Sequence, residues 1–191
     1  MIDRKPGTAG VTSLACLSTV GVILSDAVLK RLPSAGLDEL SPEDAELLLG
    51  NARLLRSAVE TRQAKTLLRG KRLALLCERE DSADALLFRG AAAELGADVS
   101  HIRPHLSELS RPEELRQTAR ILGRLYDGIE CQGLLPALCD AVGREAGVPV
   151  YDGLASNRHA TARLAALLGA DEPPERLREI VLQTVLLSTL A

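Results

Sequence analysis

Between residues 41 and 168 the chain alternates two hydrophobic rhythms: short unbroken apolar runs, and longer stretches with apolar residues three or four positions apart. Ser41-Pro42-Glu43-Asp44 joins a capping hydroxyl, a Pro at the first helical position and early acids. Apolar residues at helical spacing follow through Leu54, so a helix starts here. Lys71 to Cys77 (KRLALLC) follows Gly70 and ends in a charged cluster, which suits a strand buried on both faces. Ala83 to Leu95 turns helical and stops at Gly96, a natural C-cap. The cycle repeats, with strands at Asp98 to Arg103, Gly128 to Cys131 and Val148 to Tyr151, and helices at Pro112 to Tyr126 and Pro136 to Ala146. A helix from His159 to Leu168, a polar break at Gly169 to Pro174 and a final amphipathic helix from Glu175 to Leu190 complete the pattern.

Strands alternating with helices through short connections imply right-handed crossovers. The expected fold is α/β, three layers with a parallel sheet of about four strands and helices on both faces. In such a sheet a ligand site lies beyond the carboxyl ends of the strands, here where the segments after Cys77, Cys131 and Tyr151 converge. The apolar stretch Val11 to Leu24, after Arg4 and Lys5, superficially resembles a signal peptide. It is too short and too rich in Ser and Thr to span a bilayer. Residues 1–28 are therefore read as an accessory segment that covers apolar surface.

Composition narrows the function. With no Trp, one Phe and two Tyr, the core must be aliphatic, and stacking platforms for nucleic-acid bases are not expected. A formal charge of −3 with Arg and Glu interspersed offers no basic stripe to follow a phosphate backbone, so nucleic acid is not an expected partner. Cys16, Cys77, Cys131 and Cys139 fall at wide spacings in or beside apolar runs, without a Cys-x-x-Cys pair. They read as reduced, buried thiols of a cytoplasmic protein. Cys77 and Cys131 end neighbouring strands but have no nearby base in the sequence to activate them. His101 and His105 straddle Pro104 and do not form a helical metal pair, so neither metal nor cofactor is expected.

Three segments at the strand ends resemble the ornithine and aspartate carbamoyltransferases, the ornithine branch most closely. Leu68 to Ala97 (LRGKRLALLCEREDSADALLFRGAAAELGA) is similar to the family's first strand, phosphate loop and following helix. Gln117 to Gly133 (QTARILGRLYDGIECQG) resembles the next helix and strand, and Gly147 to Leu168 (GVPVYDGLASNRHATARLAALL) the stretch that carries a His-Pro-x-Gln signature. With Leu40 to Leu55 and the last helix, the resemblance covers about residues 30 to 191. It implies the carbamoyl-phosphate-binding half-fold at residues 29–170, followed by a linker and C-terminal helix at 171–191 that packs back on the same domain. It also implies that the amino-acid-binding domain, which separates these parts in complete enzymes, is missing between them.

The resemblance also locates what has changed. The family's Ser-Thr-Arg-Thr-Arg loop wraps a phosphate at a helix N-terminus, where free N–H groups, the helix dipole and forked guanidinium donors favour an anion. The matching positions are Asp81, Ser82, Ala83, Asp84 and Ala85. Both arginine positions are alanine, and two carboxylates stand where a dianion would bind. A third family arginine corresponds to Gln132. In the His-Pro-x-Gln signature His159 survives, while Ala160 and Ala162 replace Pro and Gln. Three lost charge-assisted partners at roughly 1.5 to 3 kcal/mol each remove about 4 to 9 kcal/mol, or about three to six decades of affinity. Ordinary helix capping accounts for Asp81, Ser82 and Asp84 without any ligand, and His159 reads as a relic held by packing or hydrogen bonds.

The leading expectation is a truncated, degenerate transcarbamoylase, catalytically inactive and acting through oligomerisation or a protein partner. A homo-oligomer is expected, with a trimer favoured because this domain forms the threefold contacts in the family. Two other readings stand: a binding module or enzyme for a different ligand, such as an amine or cation drawn by Glu78, Asp81 and Asp84, and a remnant transcarbamoylase whose second substrate site a separate partner supplies.

Overall fold

The computed structural model describes residues 41–60, 67–104, 111–169 and 171–190. The elements run α1 (Pro42–Glu60), β1 (Arg72–Leu76), α2 (Ala83–Glu94), β2 (Asp98–Ile102), α3 (Pro112–Leu125), β3 (Gly128–Cys131), α4 (Pro136–Ala146), β4 (Val150–Asp152), α5 (Ala162–Ala165) and α6 (Pro174–Leu190). The four strands form one parallel sheet in the order β2-β1-β3-β4. Chain order therefore reverses between β1 and β3, and the two successive crossovers cover opposite faces of the sheet. The accessory segment at 1–28, with Cys16, and His105 lie outside the described residues.

Strand alternation divides the core. Leu73, Leu75, Cys77 and Tyr151 point into the larger apolar cluster with α1, α2, α5 and α6. Ala74, Leu76, Ile129, Cys131 and Val150 point into a smaller one under α3 and α4. Helices α3 and α4 approach closely at Gly123, where an added Cβ would sit 1.7 Å from the Ala146 carbonyl oxygen. Only glycine fits at that contact.

Two features depart from the sequence pattern. The helix expected over His159 to Leu168 is reduced to α5, Ala162–Ala165. Around it the backbone makes tighter i→i+3 bonds, among them Ala162 N–H to His159 O and Leu168 N–H to Ala165 O. Side chains compete for the backbone here: the Ser156 hydroxyl accepts from Arg158 N–H, and His159 Nδ1 accepts from Thr161 N–H. The last helix, in turn, is not half-exposed. Residues 181–188 of α6 are all buried, because α1, α2 and α5 pack around it. Its polar side chains turn inward: Thr184 Oγ1 donates to Ile180 O and Ser188 Oγ to Thr184 O, while Gln183 Nε2 donates to Glu94 and its Oε1 is buried without a partner. Arg176 ties the same helix to Glu94 at 2.8 Å.

Candidate functional site: the carboxyl ends of the strands

Parallel pairing brings the exits of β1, β3 and β4 to one edge of the sheet, and backbone hydrogen bonds stitch them together. Gln132 N–H donates to Leu76 O, and Gly153 N–H to Cys131 O, each at 2.8 Å. The segments carrying Asp81 to Ala85, Gln132 and His159 with Ala162 thus leave neighbouring strands at the same end. What the structure adds is how each is occupied.

At the exit of β1, Ser82 caps α2: its backbone is extended (φ −66, ψ 151) and its hydroxyl accepts from Ala85 N–H at 3.2 Å. Asp81 is exposed and engaged by Arg79, whose Nε and Nη2 reach its two carboxylate oxygens at 3.2 and 3.4 Å. That pairing holds the Asp81 carboxyl below its ordinary range. The one guanidinium in the loop is thereby committed to a neighbouring carboxylate. Ala83 is exposed, Ala85 is buried in the core beneath the helix, and Asp84 lies half-buried in the first turn. Between Cys77 and Ala85 the loop carries Glu78, Glu80, Asp81 and Asp84 against Arg79 alone, so its field opposes an anion.

The exit of β3 contains a group that periodicity did not single out. Glu130 is fully buried, and burial pushes its carboxyl well above the ordinary range; the Gln132 side-chain amide and the Leu154 and Ala155 backbone N–H groups offset this only in part. Gln132 Nε2 donates to Glu130 Oε1 at 3.3 Å. Glu130 Oε2 and Gln132 Oε1 are both buried without a hydrogen-bond partner. The available signal was a lone acid inside a four-residue apolar strand, GIEC. A strand position expected to face the core should carry no carboxylate unless something keeps it neutral.

At the exit of β4, His159 is buried beside Thr161, with Nδ1 2.8 Å from Thr161 Oγ1. Thr161 N–H also points at Nδ1, at 3.3 Å, which makes this nitrogen the acceptor in that contact. Ala162 opens α5 and presents no polar group. On the outer side of β1, His101 Nε2 lies 2.8 Å from Cys77 O, and its Nδ1 faces Glu80 at 3.4 Å. Burial raises the Cys77 thiol; Cys131 is also raised, first by its contact with Cys139 and then by burial. Neither is poised as a nucleophile. Cys77, Cys131 and Cys139 are free thiols. Among the described residues, no group of three or more His, Cys, Asp and Glu is arranged to hold a metal ion, and no helix is long and apolar enough to cross a membrane.

This sheet order, with its loops gathered at one edge, has counterparts in known proteins. The family profile described as aspartate/ornithine carbamoyltransferase, carbamoyl-P binding domain, matches residues 34–172. The chain belongs to this family. It is 35% identical over 148 residues to an ornithine carbamoyltransferase of Cutibacterium acnes, an alignment that covers 78% of this chain and 44% of that enzyme. The ornithine carbamoyltransferase of Pyrococcus furiosus superposes with a TM-score of 0.59 at 25% identity, over 70% of this chain and 43% of the other. The catalytic subunit of M. jannaschii aspartate transcarbamoylase does so with a TM-score of 0.55 at 26% identity, over 68% and 43%. The chain therefore spans less than half the length of the relatives it matches, and what it shares with them is the carbamoyl-phosphate-binding domain.

Proposed function

We propose that this transcarbamoylase-type domain does not bind carbamoyl phosphate and acts by association, with copies of itself or with a protein partner, in a cytoplasmic setting. The observation that carries this reading is the occupation of the β1–α2 loop by its own side chains. Ser82 takes the Ala85 N–H, Asp81 takes Arg79, and the positions that correspond to the family's loop arginines are Ala83 and Ala85. An incoming dianion would find no free fork donor in this loop and would meet the carboxylates of Asp81 and Asp84. Gln132 offers an amide where the family has a charge, and its Nε2 is already given to Glu130. A carbamoyl transfer must also orient an amine against the carbamoyl carbon and stabilise the developing oxyanion, and weak residual anion binding supplies neither.

The same reading treats residues 29–170 as the domain and 171–191 as a helix returned to it, with a trimer as the favoured assembly. Calorimetry with carbamoyl phosphate, a citrulline and carbamoyl-aspartate assay, and sedimentation test these points together. No saturable heat, no product and a trimer are expected. Binding tighter than about 0.1 mM, equivalent to roughly 5.5 kcal/mol, or product dependent on this protein, would overturn the loss of function. A monomer at tens of micromolar would overturn self-association.

A further inference from the structure

The opposite edge of the sheet, at the amino ends of the strands, carries a groove of ≈ 270 Å³ with a different electrostatic character. Lys71 lines it just ahead of β1, Arg72 from the first position of β1, Arg124 from the end of α3, and Tyr126 and Asp127 from the approach to β3. The backbone here is fixed by its own hydrogen bonds. Asp127 N–H donates to Arg72 O at 2.7 Å, Arg72 N–H donates to Asp127 Oδ2 at 2.8 Å, and Asp98 N–H donates to Lys71 O at 2.9 Å. The Asp127 carboxylate is thus partly spent on the main chain. None of Lys71, Arg72 and Arg124 forms an ion pair with another described residue, whereas Arg56, Arg79, Arg116, Arg120 and Arg176 each do.

Charge arithmetic asks for an anion. Three cations against Asp127 leave a net +2 in the groove. Helices α3 and α6 both end here, and each C-terminus contributes about −0.5 of a charge. These offset roughly half of the excess and leave about one positive charge among the described residues of the groove. The lining residues carry two guanidinium forks, an ammonium and a phenol hydroxyl, donor types suited to planar or tetrahedral oxygens. The groove volume is below that of a drug-sized pocket, which sets the scale of the ligand.

We infer that the Lys71, Arg72 and Arg124 groove binds the oxyanion of a small metabolite, a phosphate or a carboxylate, at a site distinct from the carboxyl-end cleft. The inference does not rest on the reading given under Proposed function, since the two sites lie at opposite ends of the strands. The test is an amide NMR titration of the ¹⁵N-labelled full chain at low ionic strength, with inorganic phosphate and succinate in separate arms and sodium chloride as the ionic control. Saturable shifts at residues 71–72 and 123–127, with Ser82 to Ala85 unmoved, are expected with at least one probe, and the arm that saturates identifies the oxyanion. Arg124→Glu alone, and Lys71→Ala combined with Arg124→Ala, should each weaken that binding at least about tenfold, as loss of a charge-assisted contact requires. Arg124 is exposed, so its single variant keeps the test valid if the Lys71 substitution disturbs folding. Shifts confined to residues 82–85, shifts matched by sodium chloride, no saturation by about 10 mM, or unchanged affinity in Arg124→Glu would each overturn the proposal.

Discussion

Replacing Glu130 by Gln should change the pH dependence of stability in a direction set by burial. The carboxyl is fully buried beside Tyr151 and Asp152, with Cys77 on the neighbouring strand, and only the Gln132 amide and the Leu154 and Ala155 N–H groups favour its ionised form. Its folded pKa is therefore raised well above the ordinary 4.5 that it takes in the unfolded chain. Below the unfolded value the group is protonated in both states and costs nothing. Above it, the unfolded chain releases a proton that the folded chain retains, so stability falls as pH rises until the folded pKa is reached. One proton gives a limiting slope of about 1.36 kcal/mol per pH unit. Gln keeps the shape of the neutral acid and cannot ionise. Urea denaturation from pH 4 to pH 8 should then show the Glu130→Gln variant close to wild type at pH 4. From about pH 4.5 upward the variant should gain on wild type, approaching that slope before levelling off. The difference between the two curves cancels every group they share. A difference that stays flat across this range, or one that favours wild type at pH 8, would refute the account of Glu130 as a neutral buried acid.

Two further substitutions test the frame around the site. Gly123→Ala would place a methyl 1.7 Å from the Ala146 carbonyl oxygen and force α3 from α4, so a loss of about 3 kcal/mol or more is expected in chemical denaturation, at the upper end of overpacking costs. A change below about 0.5 kcal/mol would mean that the two helices slide apart freely. Ser82→Ala removes the cap on Ala85 N–H and should cost about 1 kcal/mol, whereas Ser82→Asp should retain most of the stability. Equal melting of Ser82→Ala and wild type would instead free the Ser82 hydroxyl for a role other than capping.

The alternation of elements was legible because it depends on short-range periodicity. β3 and α4 occupy the residues that the pattern assigns, Gly128–Cys131 and Pro136–Ala146, and the other strands differ from it by one or two residues at their ends. The α/β class and the convergence of the Asp81, Gln132 and His159 segments follow from that alternation with the handedness of crossovers, and the family motifs carry the rest. The sequence could equally show that the loop after β1 lacks arginine at Ala83 and Ala85, since composition alone decides that point.

Tertiary structure decided what no local pattern contains. The final helix reads as amphipathic, but α6 is enclosed by α1, α2 and α5, and its Thr184 and Ser188 hydroxyls are satisfied within the helix. The helix expected from His159 shrinks to four residues because Thr161 and His159 hydrogen-bond each other in place of propagating the ladder. Whether Glu130 meets water or core, whether Asp81 is free or held by Arg79, and whether Lys71 and Arg124 share a groove across 53 positions of chain all depend on where distant segments come to rest. Local sequence fixes backbone preference and side-chain chemistry; desolvation and charge pairing are properties of the neighbours, and only the packed fold supplies those.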